Sequence, residues 1–407
     1  MEKRIAAARR ITSVLFAAQC LASAAFIATS TVAAIAAVSL SGQRSLAGFP
    51  AAASTLTGSG AAFLWGLLMD KIGRRSSLVL GLLFGSIGAA LCVWAITAGA
   101  FPFFVVGMML LGVANAAVNL SRFVAAEVHS PETRGRAVSY VVLGGTVGAV
   151  GGPLLVTPSG HLAMSAGTGE LAGAFAAAVL LLLFAGAVVA VALRPEPMAF
   201  IDPNERVTAK TGARRSFGEI LRIPAAAAAV AAMVFSQAVM VGLMVITSLY
   251  MKDMNHGLGD VSIVFSAHTI GMYAFSLLSG RLIDRWGRRP VILLGAGVLL
   301  VACITAPLTG DTFPLAVSLL LLGLGWNFCF VGGSTLLSDH LGPAERGRTQ
   351  GLNDLFVGLA AAVGSLGSGL LSARFGYSGV AAAGALLALL PILFVTRWVR
   401  AVSRPAG

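Results

Sequence analysis

Twelve apolar runs, each of about twenty residues or more, recur along this chain. As helices they are long enough to cross a hydrocarbon core of roughly 30 Å. Their approximate limits are 12–40, 45–68, 76–97, 102–127, 136–156, 170–193, 223–250, 260–280, 290–308, 313–338, 349–372 and 377–398. Backbone N–H and C=O groups find no water in lipid and must be satisfied within the segment or a closed barrel. The runs are too long for barrel strands, so helices are expected. Composition agrees: 57% of residues are hydrophobic and 11% charged, against about 25% charged in soluble proteins. The expected class is an all-α membrane protein with twelve transmembrane helices. No cleavable signal peptide is expected, because the run after MEKRIAAARR is long enough to be a span and no cleavage site is evident.

The net charge of +12 raises the question of nucleic acid. Its distribution answers it. With both termini inside, Arg44, Lys252 and Arg374 fall in outer loops and Arg122 inside a span; every other Lys and Arg falls on the cytoplasmic side. Such a bias orients a multi-pass protein in the cell membrane, the inner membrane of a bacterium. It turns a basic face to anionic lipid headgroups and gives no reason to expect a nucleic-acid partner. The four cysteines, Cys20, Cys92, Cys303 and Cys329, all lie in spans without CxxC or metal-ligand spacing, as small apolar residues would.

The stretch 194–222 interrupts the spans with Pro195, Pro197 and Pro203 and with Arg206, Lys210, Arg214 and Arg215. It reads as a cytoplasmic linker, with SFGEILRI (216–223) as a short interfacial helix. Six spans lie on either side, giving bundles at 1–193 and 223–407. The halves repeat. GLLMDKIGRR (66–75) matches GRLIDRWGRR (280–289), aligning Gly66, Asp70, Gly73, Arg74 and Arg75 with Gly280, Asp284, Gly287, Arg288 and Arg289. EVHSPETRGR (127–136) matches DHLGPAERGR (339–348), aligning Glu127 with Asp339, Pro131 with Pro343 and Arg134 with Arg346. Six spans per half preserve orientation, so the two six-helix pseudo-repeat bundles are parallel repeats about an axis along the membrane normal.

The G-x-L-x-D-x-x-G-R-R pattern between spans two and three resembles the loop signature of the major facilitator superfamily. It is doubled here, and the resemblance covers the whole chain. It implies two six-helix bundles rocking around a central small-molecule site. It also implies that Asp70 caps a helix of the opposite half, near Gly351 at the start of the eleventh span, with Arg74 and Glu127 beside it. Asp284 would do the same near Arg136 at the start of the fifth span, with Arg288 and Asp339. A carboxylate at a helix N-terminus gains about 0.3–1 kcal/mol, weak enough to break when the halves separate. The set therefore suits a latch of the outward-open state. The alternative is plain topology, for which the basic residues alone would suffice. Gly66 and Gly280 would allow close helix packing, and Gly73 and Gly287 a tight turn.

Two further elements match the family less fully. GGTVGAVGGP (144–153) resembles the glycine-rich motif of antiporters at Gly148, Gly152 and Pro153, but Leu154 to Thr157 follow where a glycine pair is expected. Ordinary small-residue packing is the other reading. In the fourth span Met108 stands before Gly112, where the family places a proton-coupling arginine.

Residues that break the repeat are candidates for handling solute and protons. Arg122 lies about 7.5 Å into the fourth span from Glu127, and Asp354 about 9 Å into the eleventh from Arg348; their repeat partners are Ser334 and Val142. A charge at the centre of a span costs about 2.5–3.5 kcal/mol and normally faces a cavity or a partner. The family sets these two spans against each other at the cytoplasmic mouth, which makes Arg122 and Asp354 a candidate inner gate pair and Asp354 a candidate proton site. Snorkelling to nearby headgroups is the competing reading. Gln19, Asn115, Asn119, Gln237, His268, Asn327 and Asn353 are uncharged polar residues within spans, each open to a role as interhelical glue or as solute contact. His268 could also titrate. Trp326 lines a cavity or packs.

The first span lacks an acidic residue, and no cluster of Lys and Arg lies within spans. A mostly apolar site with a few amides suits a neutral or weakly amphipathic organic solute. The leading expectation is a monomeric, proton-linked secondary transporter exporting such compounds. An uptake permease for a nutrient or organic anion, with Arg122 meeting a carboxylate, is the alternative. A non-transporting membrane sensor of the same fold is a third. No Walker, HExxH or GxSxG sequence occurs, so neither an enzyme nor a cofactor or metal is expected.

Overall fold

The computed structural model describes residues 2–130, 133–197 and 215–402. Among them there is no strand. The helices are α1 (Glu2–Ser41), α2 (Phe49–Ile72), α3 (Arg74–Ala98), α4 (Phe101–Asn119), α5 (Ser121–Glu127), α6 (Arg134–Gly151), α7 (Val156–Ser165), α8 (Glu170–Ala192), α9 (Phe217–Leu221), α10 (Pro224–Asp253), α11 (Leu258–Tyr273), α12 (Ser276–Trp286), α13 (Arg288–Thr305), α14 (Thr312–Asp339) and α15 (Pro343–Val402). Eleven helical stretches among the described residues are long and apolar enough to cross a membrane. The last of these, Thr349–Trp398, is broken at Gly376, whose φ of 64° and ψ of −165° are not helical. The eleventh and twelfth expected spans meet at that glycine.

Several boundaries differ from those read off hydropathy. The second apolar run was expected to end at 68, but α2 continues to Ile72, so Asp70 and Lys71 sit in its last helical turn rather than in a loop. Gly73, at φ 91°, and Gly287, at φ 84°, make the sharp turns that follow, a backbone conformation open to glycine and costly to other residues. The fifth span was expected to stop near 156; beyond a 3-10 turn at Pro153–Leu155 it runs on as α7 to Ser165. The fourth is interrupted at Leu120 and the eighth at Ala274–Phe275. The helix at Phe217–Leu221 opens with a capping box, in which Ser216 and Glu219 each accept from the other's backbone N–H, satisfying two end donors at once.

The chain divides into two compact units: Met1–Arg206 with His256–Ser262, and Val207–Asn255 with Ile263–Gly407. In the first, the helices close on small residues. A Cβ at Gly85 would lie 2.9 Å from the Ala114 Cβ, and one at Gly88 2.7 Å from the Gly107 carbonyl, so α3 and α4 touch backbone to backbone. Phe104 and Phe175 stack edge to face beneath this contact, 5.4 Å apart, both fully buried. The second unit repeats the device. A Cβ at Gly295 would come within 2.8 Å of the Gly325 carbonyl, holding α13 to α14. Between apolar helices in lipid, such close approach supplies the dispersion contact that water exclusion supplies elsewhere.

Candidate transport and gating sites

In the first unit the repeated signature forms an ion-pair cluster. The Arg74 guanidinium donates from Nε to Glu127 Oε2 and from Nη2 to Glu127 Oε1, both at 3.0 Å, and from Nη1 to Asp70 Oδ1 at 2.7 Å. Its side chain is only 9% exposed, whereas those of Asp70 and Glu127 are 66% and 30% exposed. Arg74 is thus the buried member, its charge neutralised by a two-pronged pair to one carboxylate and a single contact to another. A cavity of about 240 Å³ adjoins the cluster, lined by Gly66, Leu120 and Phe123 together with the three charged residues.

That cavity corrects one expectation. Gly66 and Gly280 are not sites of close helix packing, since a Cβ at either would meet no atom within 4 Å. Gly66 sits one turn before Asp70 and faces the open space beside the ion pairs.

A residue without a place in the sequence reading completes this end. Glu196, beyond α8, accepts from the backbone N–H of Arg74 at 2.7 Å and of Arg75 at 3.3 Å. It caps the N-terminus of α3, where orphan donors and the helix dipole favour an anion. The only sequence signal was an acidic residue between two prolines in a net basic stretch.

The second unit is looser at the matching positions. Arg288 Nε donates to Asp339 Oδ2 at 2.8 Å, with the side chains 36% and 41% exposed. Asp284 is exposed and forms no ion pair among the described residues. A different pair carries the weight here. Glu345 is buried and receives the Arg215 backbone N–H at 2.9 Å, its Nε at 2.9 Å and its Nη2 at 2.7 Å. The Gly342 N–H adds a contact at 3.2 Å. These hydrogen bonds, led by the Arg215 side chain, hold the Glu345 carboxyl down at about 2. Its repeat position holds Thr133, so the pair belongs to one half alone. The side chains of Arg134 and Arg346, and residues Pro131, Pro203, Arg206, Lys210 and Arg214, lie outside the described residues.

The span residues separate into buried and exposed groups. Asn115 and Asn119 are exposed on α4, with Asn119 Nδ2 donating to Asn115 Oδ1 at 3.4 Å. Arg122, in α5 just past the Leu120 interruption, is exposed with its guanidinium 4.9 Å from the Phe123 ring centre. Asn115 and Asn119, four residues apart, share one face of α4, and Arg122 follows across the Leu120 interruption. Gln19 accepts from Ser121 Oγ at 2.9 Å and so ties α1 to the start of α5. Asp354 is exposed on α15.

His268 and Asn327 are buried, and each holds helices together. His268 Nδ1 donates to the Leu319 carbonyl at 3.0 Å, joining α11 to α14. Asn327 donates to the Met272 carbonyl at 2.6 Å and to Ser276 Oγ at 3.1 Å, and accepts from Ser279 Oγ. Gln237 Oε1 accepts from Trp326 Nε1 at 2.7 Å. Asn353 is fully buried, donating to Met233 Sδ at 3.5 Å, with Oδ1 unpartnered among the described residues.

The glycine-rich stretch of the fifth span has a packing explanation. A Cβ at Gly144 or Gly152 would come 2.6 Å from the Phe16 or Ala24 carbonyl, and one at Gly148 would collide with the Cys20 carbonyl. The three glycines, four residues apart, match three α1 carbonyls four residues apart.

The family model described as Major Facilitator Superfamily matches residues 15–260 and 230–407. The chain belongs to the major facilitator superfamily. It is therefore a multi-pass membrane protein and a secondary transporter rather than an enzyme. Over 98% of this chain and 94% of the relative, it is 33% identical to the uncharacterized MFS-type transporter YdeG of Bacillus subtilis (strain 168). It is 32% identical to the riboflavin transporter RfnT of Brucella anthropi over 71% of this chain and 70% of that one. Its fold matches a D-xylose-proton symporter with a TM-score of 0.72 at 20% identity, over 95% of this chain and 97% of the other.

Proposed function

We propose that this superfamily member exports a small organic compound by alternating access, driven by protons, as a monomer with both termini in the cytoplasm. The observation that carries the reading is the trio Asn115, Asn119 and Arg122, exposed within an apolar stretch of the fourth span. Amides and a guanidinium facing hydrocarbon would be costly, so these side chains belong against a water-filled path. Asp354 is the titratable group assigned to coupling, with Arg122 as its gate partner. Asp70, Arg74, Glu127, Asp284, Arg288 and Asp339 act as the latch between states. The export direction rests on the glycine-rich fifth span, which resembles the antiporter motif of exporters in part.

Uptake is the second reading, and the similarity to a riboflavin transporter supplies one solute with which to test it. Proteoliposomes with an imposed pH gradient test both readings. Solute movement against the proton gradient supports export, and movement with it supports uptake. A gradient that moves neither riboflavin nor lipophilic dyes overturns proton-driven transport of these solutes.

A further inference from the structure

We infer that Gln237, Tyr273, Trp326 and Phe330 of the second unit form a subsite for a flat, fused-ring heteroaromatic solute bearing hydrogen-bond acceptors. The inference deepens the transport reading, on which it rests, by naming the chemical class of solute. Three helices meet here. Trp326 on α14 is buried, with Phe330 stacked beside it at 4.9 Å and 23° and Tyr273 edge-on at 6.5 Å. Tyr273 and Phe330 are half-buried, so they offer ring surface that the indole backs from within.

Two polar groups at this junction are not consumed by the packing. The indole N–H holds the Gln237 amide by its oxygen, which fixes the Gln237 NH₂ group as a donor. That NH₂ group and the Tyr273 hydroxyl have no hydrogen-bond partner among the described residues. A packing cluster in a membrane span gains nothing by keeping donors without partners. The backbone adds an independent sign. Tyr273 is the last residue of α11, at the point where the eighth span is interrupted. Asn327, next to Trp326, donates to the Met272 carbonyl there and to Ser276. Interrupted helices in membranes persist where neighbours re-satisfy the backbone, and they mark solute sites in transporters. Asn327 is thus a positioning residue, keeping Tyr273 turned toward Trp326.

The donor count selects the solute. Two free donor groups beside ring surface serve a flat ring with one or two carbonyl or ring-nitrogen acceptors. A sugar would bring several hydroxyls, most of which would be buried here unpaired. Stacking on aromatic faces supplies the remaining attraction.

The test uses the full-length protein in detergent, titrated against lumichrome and norharmane, two fluorescent fused-ring heterocycles, with empty micelles as baseline and xylose as the non-aromatic comparator. Saturable quenching and a raised melting temperature are expected for the heterocycles and neither for xylose, since binding to the folded state stabilises it. Phe330→Leu is expected to weaken binding about two- to tenfold, and Gln237→Leu about fivefold. Tyr273→Phe, which keeps the ring, is the mild variant should either of these fold poorly, and is expected to weaken binding a few-fold. Phe313→Leu, on an exposed ring at the start of α14, is expected to bind like wild type. Absence of saturable binding by both heterocycles overturns the subsite, as does wild-type affinity in the Phe330, Gln237 and Tyr273 variants. Proton-driven transport of a non-aromatic solute by a protein that binds neither heterocycle would sink the subsite and leave the transport reading standing. Binding without any transport would do the reverse.

Discussion

Arg74 grips Glu127 through two parallel hydrogen bonds of 3.0 Å, from a guanidinium that is 9% exposed. Its repeat counterpart Arg288 reaches Asp339 from a position 36% exposed. The same sequence pattern therefore yields a pair built on a buried arginine in one half and a solvated pair in the other.

That difference predicts unequal costs. Arg74→Ala leaves two carboxylates facing each other and is expected to lower stability by about 2–3 kcal/mol. Arg288→Ala is expected to cost less than about 1 kcal/mol, as exposed pairs do. Arg74→Lys should recover only part of the loss, because an ammonium cannot make the two-pronged contact. Thermal unfolding of the three variants checks the order; equal costs for Arg74→Ala and Arg288→Ala would refute it.

Asp70 is assigned to the latch because its carboxylate is largely exposed while still touching Arg74. Asp70→Asn keeps a hydrogen-bonding group beside Arg74 but loses the charge, so the outward-open population should fall. Spin-label distance distributions between the two units report it. Unchanged distributions would leave plain topology as the reason for the motif.

Glu345 predicts an acid-side dependence of stability. Its carboxyl is lowered from 4.5 to about 2 by Arg215. A depressed carboxylate contributes stability that is fully present above the unfolded value and lost as pH falls toward the folded one. Wild type should therefore lose melting temperature between about pH 4.5 and 2 through this group. Glu345→Gln should start lower at neutral pH and show a shallower acid slope. Parallel pH profiles for the two proteins would contradict the assignment.

The fifth-span glycines give a sharp contrast. Gly148→Val places side-chain atoms into the Cys20 carbonyl, and the protein is expected not to accumulate in the membrane. Gly151→Ala meets open space and should express and melt within about 0.5 kcal/mol of wild type. Membrane abundance and melting temperature decide. If Gly148→Val accumulates normally while transport alone is lost, packing is not the reason for these glycines.

Arg122 and Asp354 are proposed as gate partners. Arg122→Ala and Asp354→Ala should each impair transport severely, and the exchange Arg122→Asp with Asp354→Arg should restore a measurable fraction, since reversal retains part of the attraction. Asp354→Asn should lose pH-driven accumulation yet permit solute exchange down its gradient. Full proton-driven accumulation by Asp354→Asn would remove it as the coupling site and turn attention to other titratable groups.

Span length, charge bias and the doubled signature are local or periodic properties of the chain. That is why the helical class, the multi-pass character and the family were legible from residues alone. Arg74, Asp70 and Glu127 could be grouped in advance only through what the resemblance to the family implies. Two further pairs, Glu196 with Arg74 and Glu345 with Arg215, could not. Glu196 reaches the start of α3 from beyond α8, and Glu345 meets Arg215 from beyond α14. Neither distance along the chain nor residue type marks such pairs, since only packing brings the helix ends together. The same holds for exposure. Asn115 precedes Glu127 by the same interval as Asn327 precedes Asp339, yet Asn115 is exposed and Asn327 is 2% exposed. Sequence determined that an amide stands at each place. Tertiary structure decided their roles, because an interrupted helix beside Asn327 offered a carbonyl in need of a donor and the unbroken α2 in the other unit did not.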